Sequence, residues 1–162
     1  LLQEKINPPS QEKNEIATAR QILREGDKIM QVRNNYDKEV FNGDLGVIQS
    51  ISGRTLFAWF PDVNDGIMVK YEQGELEELQ LSYAMSVHKS QGIEYPVVIR
   101  ALSKGHFVFL QRNLLYTAIT RAKNRVCIMG QEPSLRTAIS NDRMRRRYSL
   151  LKERLCEGLY AD

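Results

Sequence analysis

Two stretches carry residue types suited to phosphate chemistry. Ser86-Val87-His88-Lys89-Ser90-Gln91-Gly92-Ile93-Glu94 gathers hydroxyls, a basic pair, an amide and a glycine just before an apolar run. Backbone N–H groups and small polar side chains at such a terminus bind phosphate oxygens. The local alternative is a capped, polar helix end. The second stretch is Asn113-Leu114-Leu115-Tyr116-Thr117-Ala118-Ile119-Thr120-Arg121-Ala122-Lys123. Leu114, Leu115, Ala118 and Ile119 read as packing residues, while Tyr116, Thr120 and Arg121 face elsewhere. An arginine there caps its own helix or reaches a neighbouring nucleotide as an arginine finger.

These residues need elements to hold them. The 162-residue chain fits one domain, or one domain carrying a small insertion. Pro8-Pro9 marks an extended lead-in, and Ile16, Ala19, Ile22 and Leu23 share one face of a short helix over 16–24. A strand follows at 28–32, then strands at 45–51, 55–60, 66–72 and 76–83. Turns at Ser52-Gly53, Asp62 to Asp65 and Gln73-Gly74 separate them, and this even spacing suggests a small barrel.

Beyond residue 83 the pattern changes. A helix starts over 85–91, and Val97-Val98-Ile99 has the composition of a buried parallel strand. A helix spans 111–122, a second apolar strand 125–129, and one or two helices 133–157, with Ser134 as N-cap. The alternation argues α/β with a parallel sheet.

The net charge of +3 is unevenly spread. Residues 1–80 hold 9 Lys/Arg and 14 Asp/Glu, a net of −5, and residues 81–162 carry a net of +8. A basic half points to phosphate, in nucleotide or nucleic acid. Arg143-Met144-Arg145-Arg146-Arg147 is a solvated helix or a phosphate or docking contact. Trp59, with Phe57, Phe60 and Tyr71, is barrel core or a stacking platform for a base. Cys127, in a strand read as buried, and Cys156 read as free thiols of a reducing cytoplasm. With only His88 and His106 at distant positions, they lack zinc-site spacing. No apolar run approaches the roughly 18 residues of a membrane span. The start at Leu1, with no signal-like segment, reads as a piece of something longer.

Together, and in this order, the two stretches resemble motifs V and VI of the superfamily-one helicases. Gly26-Asp27-Lys28-Ile29-Met30-Gln31, the string from Asn34 to Gly46 and the Ile6-Asn7-Pro8-Pro9 lead-in are similar to the RecD-like branch. This is the 5′-to-3′ group that also contains the Pif-type helicases and the exodeoxyribonuclease V alpha subunits. The resemblance covers nearly the whole chain. It implies the C-terminal part of a RecA-like motor domain, a parallel sheet with flanking helices, carrying an inserted SH3-like barrel. The implied layout is a lead-in and short helix over 1–26, the barrel over 27–80 and the motor portion over 81–162.

The same resemblance implies roles. Arg121 is similar to the motif VI arginine that contacts the ATP γ-phosphate. Gly92 and Glu94 resemble positions beside the nucleotide, with Glu94 near the ribose, and Gln91 couples nucleotide to DNA. Ser86, His88 and Lys89 resemble the part of motif V that contacts the backbone of single-stranded DNA. Gln31, Asn34 and Asn42 line the strand path from the barrel side, although Asn42-Gly43 also reads as a simple tight turn.

The Gly-x-x-x-x-Gly-Lys-Ser/Thr phosphate loop does not occur, nor does a paired acidic Mg²⁺ motif after an apolar strand. In this family they belong to the first motor domain, so ATP and Mg²⁺ are cofactors of the full-length protein. Mg²⁺ is not ligated by these residues, and the chain alone is expected to be inactive. The implied partners are single-stranded DNA, the first motor domain and other subunits of a recombination nuclease, with no membrane. The parent is a free-standing helicase, a nuclease subunit or a relaxase motor. The competing reading is a non-enzymatic module that binds DNA or protein through its barrel.

Overall fold

The computed structural model describes residues 2–142, so the Arg143–Arg147 cluster and Cys156 lie outside the described residues. The chain divides into two compact units, one running to Gln91 and the other from Gly92. Among the described residues no helix is long and apolar enough to cross a membrane.

The first unit opens with helix α1 (Leu2–Ile6). A hairpin follows, formed by strands β1 (Glu15–Ala17) and β2 (Ile22–Arg24), which pair antiparallel. The helix expected over 16–24 is therefore a hairpin. The apolar spacing of Ile16 and Leu23 fits both, but Ile16 pairs across the turn with Leu23, burying both side chains. Thr18 closes the turn, accepting the N–H groups of Arg20 and Gln21 through its hydroxyl. Such a side-chain bond offers the backbone an alternative to a helix.

The strands that follow are β3 (Lys28–Gln31), β4 (Leu45–Ser52), β5 (Thr55–Phe60), β6 (Ile67–Glu72) and β7 (Leu79–Leu81). They form one antiparallel sheet in the order β6-β5-β4-β3-β7. A 3-10 turn over Gln73–Glu78 joins the two edge strands. The ladder does not close: no β6–β7 pairing occurs among the described residues.

Period-two alternation sets the core. Leu56, Ala58 and Phe60 of β5 point inward and are fully buried, joining Ile29, Ile48 and Tyr71. Phe57 and Trp59 take the outer face and are half-buried. Gly46 in β4 has no room for a side chain, since a Cβ there would lie 2.9 Å from the Phe60 ring and the Trp59 carbonyl. The outer edge of β7 is occupied by Gln21. Its amide donates to the Leu79 carbonyl and accepts the Leu81 N–H, as a neighbouring strand would. An edge covered in this way no longer offers bare N–H and C=O groups to another chain.

The lead-in is tied down by Asp27, which is fully buried. Its Oδ1 accepts from Asn7 Nδ2 at 2.7 Å and from the Tyr83 hydroxyl at 2.9 Å. Its Oδ2 accepts from Gln3 Nε2 at 2.6 Å and from the Arg24 backbone N–H at 2.8 Å. Burial, and then the bond to Asp27, push the Tyr83 phenol upward. Arg24, itself buried, adds a bond to the Asn7 carbonyl and an ion pair with Glu15.

The second unit contains β8 (Tyr95–Leu102), α2 (Arg112–Ile119), β9 (Ala122–Gly130) and α3 (Glu132–Ser140). A 3-10 turn over Lys104–Phe109 precedes α2. Strands β8 and β9 pair in parallel, as the βαβ alternation implies. Leu102, Leu110, Leu115 and Ala138 form the core of this unit.

The apolar strands are not buried, however. Val97, Ile99 and Met129 are more than half exposed, and Cys127 is exposed rather than buried. A parallel sheet normally has both faces covered, and the described residues contribute only two strands to this one. Ser134 is not the N-cap of α3. Gln131 occupies that position with extended backbone, and Ser134 lies buried within the helix.

The lead-in contacts set two expectations for stability. All four partners of Asp27 are donors, so an amide cannot replace the carboxylate. Asp27→Asn and Asp27→Ala should each cost about 3 kcal/mol or more in urea unfolding, whereas the exposed Glu12→Ala should change it by less than about 0.5 kcal/mol. A near-neutral Asp27→Asn would contradict the four-donor arrangement. The Glu25 carboxyl is held below its usual range by the Ile51 N–H, which it accepts at 2.7 Å, and then by the Asn14 N–H. Its folded value lies below its unfolded value, so its stabilisation is full above the unfolded value, about 4.3, and is lost as pH falls through the folded one. Urea midpoints measured from pH 8 to 3 should show a smaller decline below about pH 4.5 in Glu25→Gln than in the unsubstituted chain.

Candidate nucleic-acid and nucleotide interface

The candidate residues fall in both units, and each unit is described separately. In the first, the chain leaves β7 through Ser82, whose N–H donates to the Lys28 carbonyl, and passes Tyr83. Residues 86–91 then form successive turns rather than the start of a helix. The Ser86 carbonyl accepts the N–H groups of Lys89 and Ser90, and the Ser90 hydroxyl donates to the Val87 carbonyl. A segment rich in hydroxyls that bond its own backbone favours such turns over a regular helix.

This winding leaves Ser86, His88 and Lys89 exposed on one short segment and buries Ser90. Lys89 Nζ donates to Gln80 Oε1 of β7. Gln91, at the end of the segment, is exposed.

The barrel-side candidates separate. Asn34 and Asn42 meet in the loop between β3 and β4, where Asn34 Oδ1 accepts the Asn42 N–H at 2.9 Å. Both residues are exposed. Asn42-Gly43 is also a tight turn, with the Gly43 N–H donating to the Gln31 carbonyl.

Gln31 requires a correction, because its side chain cannot line a strand path. It is fully buried, donates to Glu78 Oε2 at 2.9 Å and accepts the Tyr71 hydroxyl at 2.9 Å. The neighbouring Glu78 accepts from Asn35 as well. Burial and the nearby Glu78 and Glu75 carboxylates push the Tyr71 phenol far up, so it stays a neutral donor to Gln31.

In the second unit, the parallel register brings the end of the first motif-like stretch, Gly92 to Glu94, beside the second. Tyr95 opposes Ala122, and the Tyr95 N–H donates to the Arg121 carbonyl at 2.8 Å. Glu94 and Arg121 therefore enter adjacent strands at the same end. Glu94 forms an ion pair with Lys123 at 3.4 Å, both side chains being more than half exposed. Among the described residues the Arg121 guanidinium Nη2 reaches the Thr120 hydroxyl, at 3.5 Å, and its Nε is buried with no hydrogen-bond partner. Gly92 adopts φ +84° with nothing within 4 Å of where a Cβ would sit, so backbone conformation rather than space favours glycine there. This end of the sheet thus holds an arginine, a lysine, a carboxylate and an open glycine backbone, groups that recognise a polyphosphate and a sugar hydroxyl.

Sequence reasoning overlooks the residues that hold the motif segment in place. In the sequence Asp27 is only one residue of the Gly26–Gln31 string, and Tyr83 only the end of a strand. No local pattern pairs them, since 56 positions separate the two.

Comparisons with known proteins point to a family. A family model described as an ATP-dependent RecD-like DNA helicase SH3 domain matches residues 1–71, and one described as a UvrD-like helicase C-terminal domain matches 81–129. The ATP-dependent RecD2 DNA helicase of Deinococcus radiodurans is 39% identical over 129 residues, covering 80% of this chain and 18% of that protein. The RecBCD enzyme subunit RecD of Mycobacterium tuberculosis is 36% identical over 121 residues, covering 74% and 20%. This chain therefore spans about a fifth of the length of these relatives.

Among solved structures, a Bacteroides Pif1 bound to single-stranded DNA superposes with TM-score 0.58 at 17% identity, covering 98% of this chain and 42% of that one. A structure of two coordinating Pif1 helicases at forked duplex DNA superposes with TM-score 0.58 at 19% identity, covering 94% and 40%. At such identities the likeness establishes the fold alone.

Proposed function

From the premise that the chain belongs to the RecD-like helicases, we propose that it works as the C-terminal portion of an ATP-dependent 5′-to-3′ DNA helicase. In this reading Ser86, His88 and Lys89 hold the backbone of single-stranded DNA, with Asn34 and Asn42 contributing from the barrel loop. Gln91, Gly92 and Glu94 lie against the nucleotide, and Arg121 is its arginine finger. The phosphate loop and the Mg²⁺ ligands come from another motor domain. The proposed layout keeps 1–26 as lead-in, 27–80 as barrel and 81–162 as motor portion. Relatives described as RecBCD subunits support other subunits of a recombination nuclease as further partners.

The observation that carries the nucleotide half is the β8–β9 register, which sets Arg121 beside Glu94 with guanidinium donors that meet no carboxylate among the described residues. A guanidinium placed against a transferring phosphoryl group neutralises charge that develops in the transition state. The observation that supports the DNA half is the exposed Ser86–Lys89 segment, braced against β7 by Lys89 and against the barrel interior by Tyr83.

DNA binding is tested by fluorescence anisotropy with a labelled single strand over a salt series. Affinity should fall steeply with salt, and Lys89→Ala should flatten the log–log slope by about one contact. His88→Ala should weaken binding at every salt concentration. Affinity that ignores salt would contradict the reading. In the complete helicase, Arg121→Ala should lower kcat for ATP hydrolysis about a thousandfold or more, with far less effect on single-strand affinity. This chain alone should show no turnover.

A further inference from the structure

Resting on the single-strand reading above, we propose that the pocket between β7 and the Ser82–Lys89 segment is a receptor for one unstacked nucleobase of the bound strand. The pocket has a volume of about 280 Å³. That is near the lower limit of about 300 Å³ for small-ligand sites, which suits a single planar ring better than an extended ligand.

Its lining matches a base in three respects. Met30 and Met85 supply apolar and thioether surface for the ring faces, and methionine sulfur makes favourable contacts with aromatic rings. Gln80 and Ser86 bring an amide and a hydroxyl to the same cavity, the groups that read the hydrogen-bonding edges of bases in single strands. Lys89 completes the lining with a cation for the phosphate attached to that base.

Both walls of the pocket are fixed by the fold. Met30 is buried in β3 and stands opposite Gln80 in the β3–β7 ladder, so backbone pairing sets this wall. The opposite wall is the turn segment that begins one residue after Ser82 and is anchored through Tyr83 to Asp27. Without DNA, Lys89 Nζ is satisfied by Gln80 Oε1. A phosphate is the stronger partner for an ammonium group. Its arrival draws Lys89 away and frees the Gln80 amide for the base edge, so backbone and base recognition are coupled through one hydrogen bond. A purely apolar partner, such as a leucine side chain from another protein, would leave Gln80, Ser86 and Lys89 unpaired.

The test is an abasic scan. A labelled single strand is prepared with one abasic nucleotide moved along it position by position, and the affinity of this chain for each is measured at fixed low salt. One position should stand out, with the missing base costing roughly tenfold. In Ala84→Trp, at a position that lines the pocket, the added ring should occupy the cavity. All strands should then bind equally weakly, with the salt slope unchanged. Salt-dependent binding with a flat abasic profile in the unsubstituted chain would overturn the pocket proposal alone. Absence of any salt-dependent binding would overturn the single-strand reading and the pocket with it. The scan on the unsubstituted chain needs no mutation, so it decides the matter even where Ala84→Trp misfolds.

Discussion

A buried carboxylate with four donors organises the first unit. A carboxylate could not remain in an apolar interior without partners, since the cost of desolvating a lone charge is several kcal/mol. Here each Asp27 oxygen accepts two bonds, from Gln3 and Arg24 on one side and from Asn7 and Tyr83 on the other. The four donors come from helix α1, the residue that follows it, strand β2 and the exit from β7. One side chain thereby gathers the two ends of the unit around the start of β3. Tyr83 is three residues before Ser86, so the constraint reaches the segment proposed to grip DNA. That segment has turns and a single helical-type bond, from the Ser90 N–H to the Ser86 carbonyl, rather than a regular helix to hold it, and its position depends on these external anchors.

A second polar network works within the five-stranded sheet. Gln31 donates to Glu78 and accepts from Tyr71, and Asn35 donates to the same carboxylate. These bonds link β3, β6, the 3-10 turn before β7 and the loop carrying Asn34 and Asn42. The two edge strands lack direct pairing, and this network with the 3-10 turn connects them instead. A fully satisfied polar network specifies one arrangement of its members. Here it sets where the exposed Asn34–Asn42 loop leaves the sheet.

In the second unit the organising constraint is backbone pairing. Parallel strands need a crossover, and the α2 crossover returns the chain so that Tyr95 meets Ala122. Glu94 and Arg121, distant in the sequence, thereby become neighbours at one end of the sheet. Their side chains are only loosely held: the Glu94–Lys123 pair is solvent-exposed, and pairs of this kind contribute about 0–1 kcal/mol. Placement comes from the ladder, and the weak, exposed Glu94–Lys123 pair is all that a ligand would have to displace there among the described residues.

The sequence by itself determined the elements whose signal is local. Alternation in Thr55–Phe60 specified a strand with Phe57 and Trp59 on one face and Phe60 on the other, because side chains on a strand alternate faces whatever the strand packs against; packing decided that the Phe60 face is the inner one. The apolar runs at 97–99 and 125–129, with a helical pattern between them, specified a parallel pair. The order of the Ser86–Glu94 and Asn113–Lys123 stretches indicated a superfamily-one helicase, and the Gly26–Gln31 and Asn34–Gly46 strings with the Ile6–Pro9 lead-in indicated the RecD-like branch. Tertiary structure decided what depends on distant partners. Residues 16–24 have an apolar spacing that suits a helix, and cross-strand burial of Ile16 against Leu23 made them a hairpin. Gln31 is polar and ends a strand, which suits a surface contact, yet Tyr71 and Glu78 take up its amide inside. Cys127 and Ile99 have the setting of core residues, but burial belongs to a sheet's neighbours and cannot be inferred from one strand. Asp27 is an ordinary turn residue in its own stretch of chain. Its role appears only when residues 3, 7, 24 and 83 converge on it, because hydrogen bonding acts over ångströms in space and leaves no periodic trace along the chain.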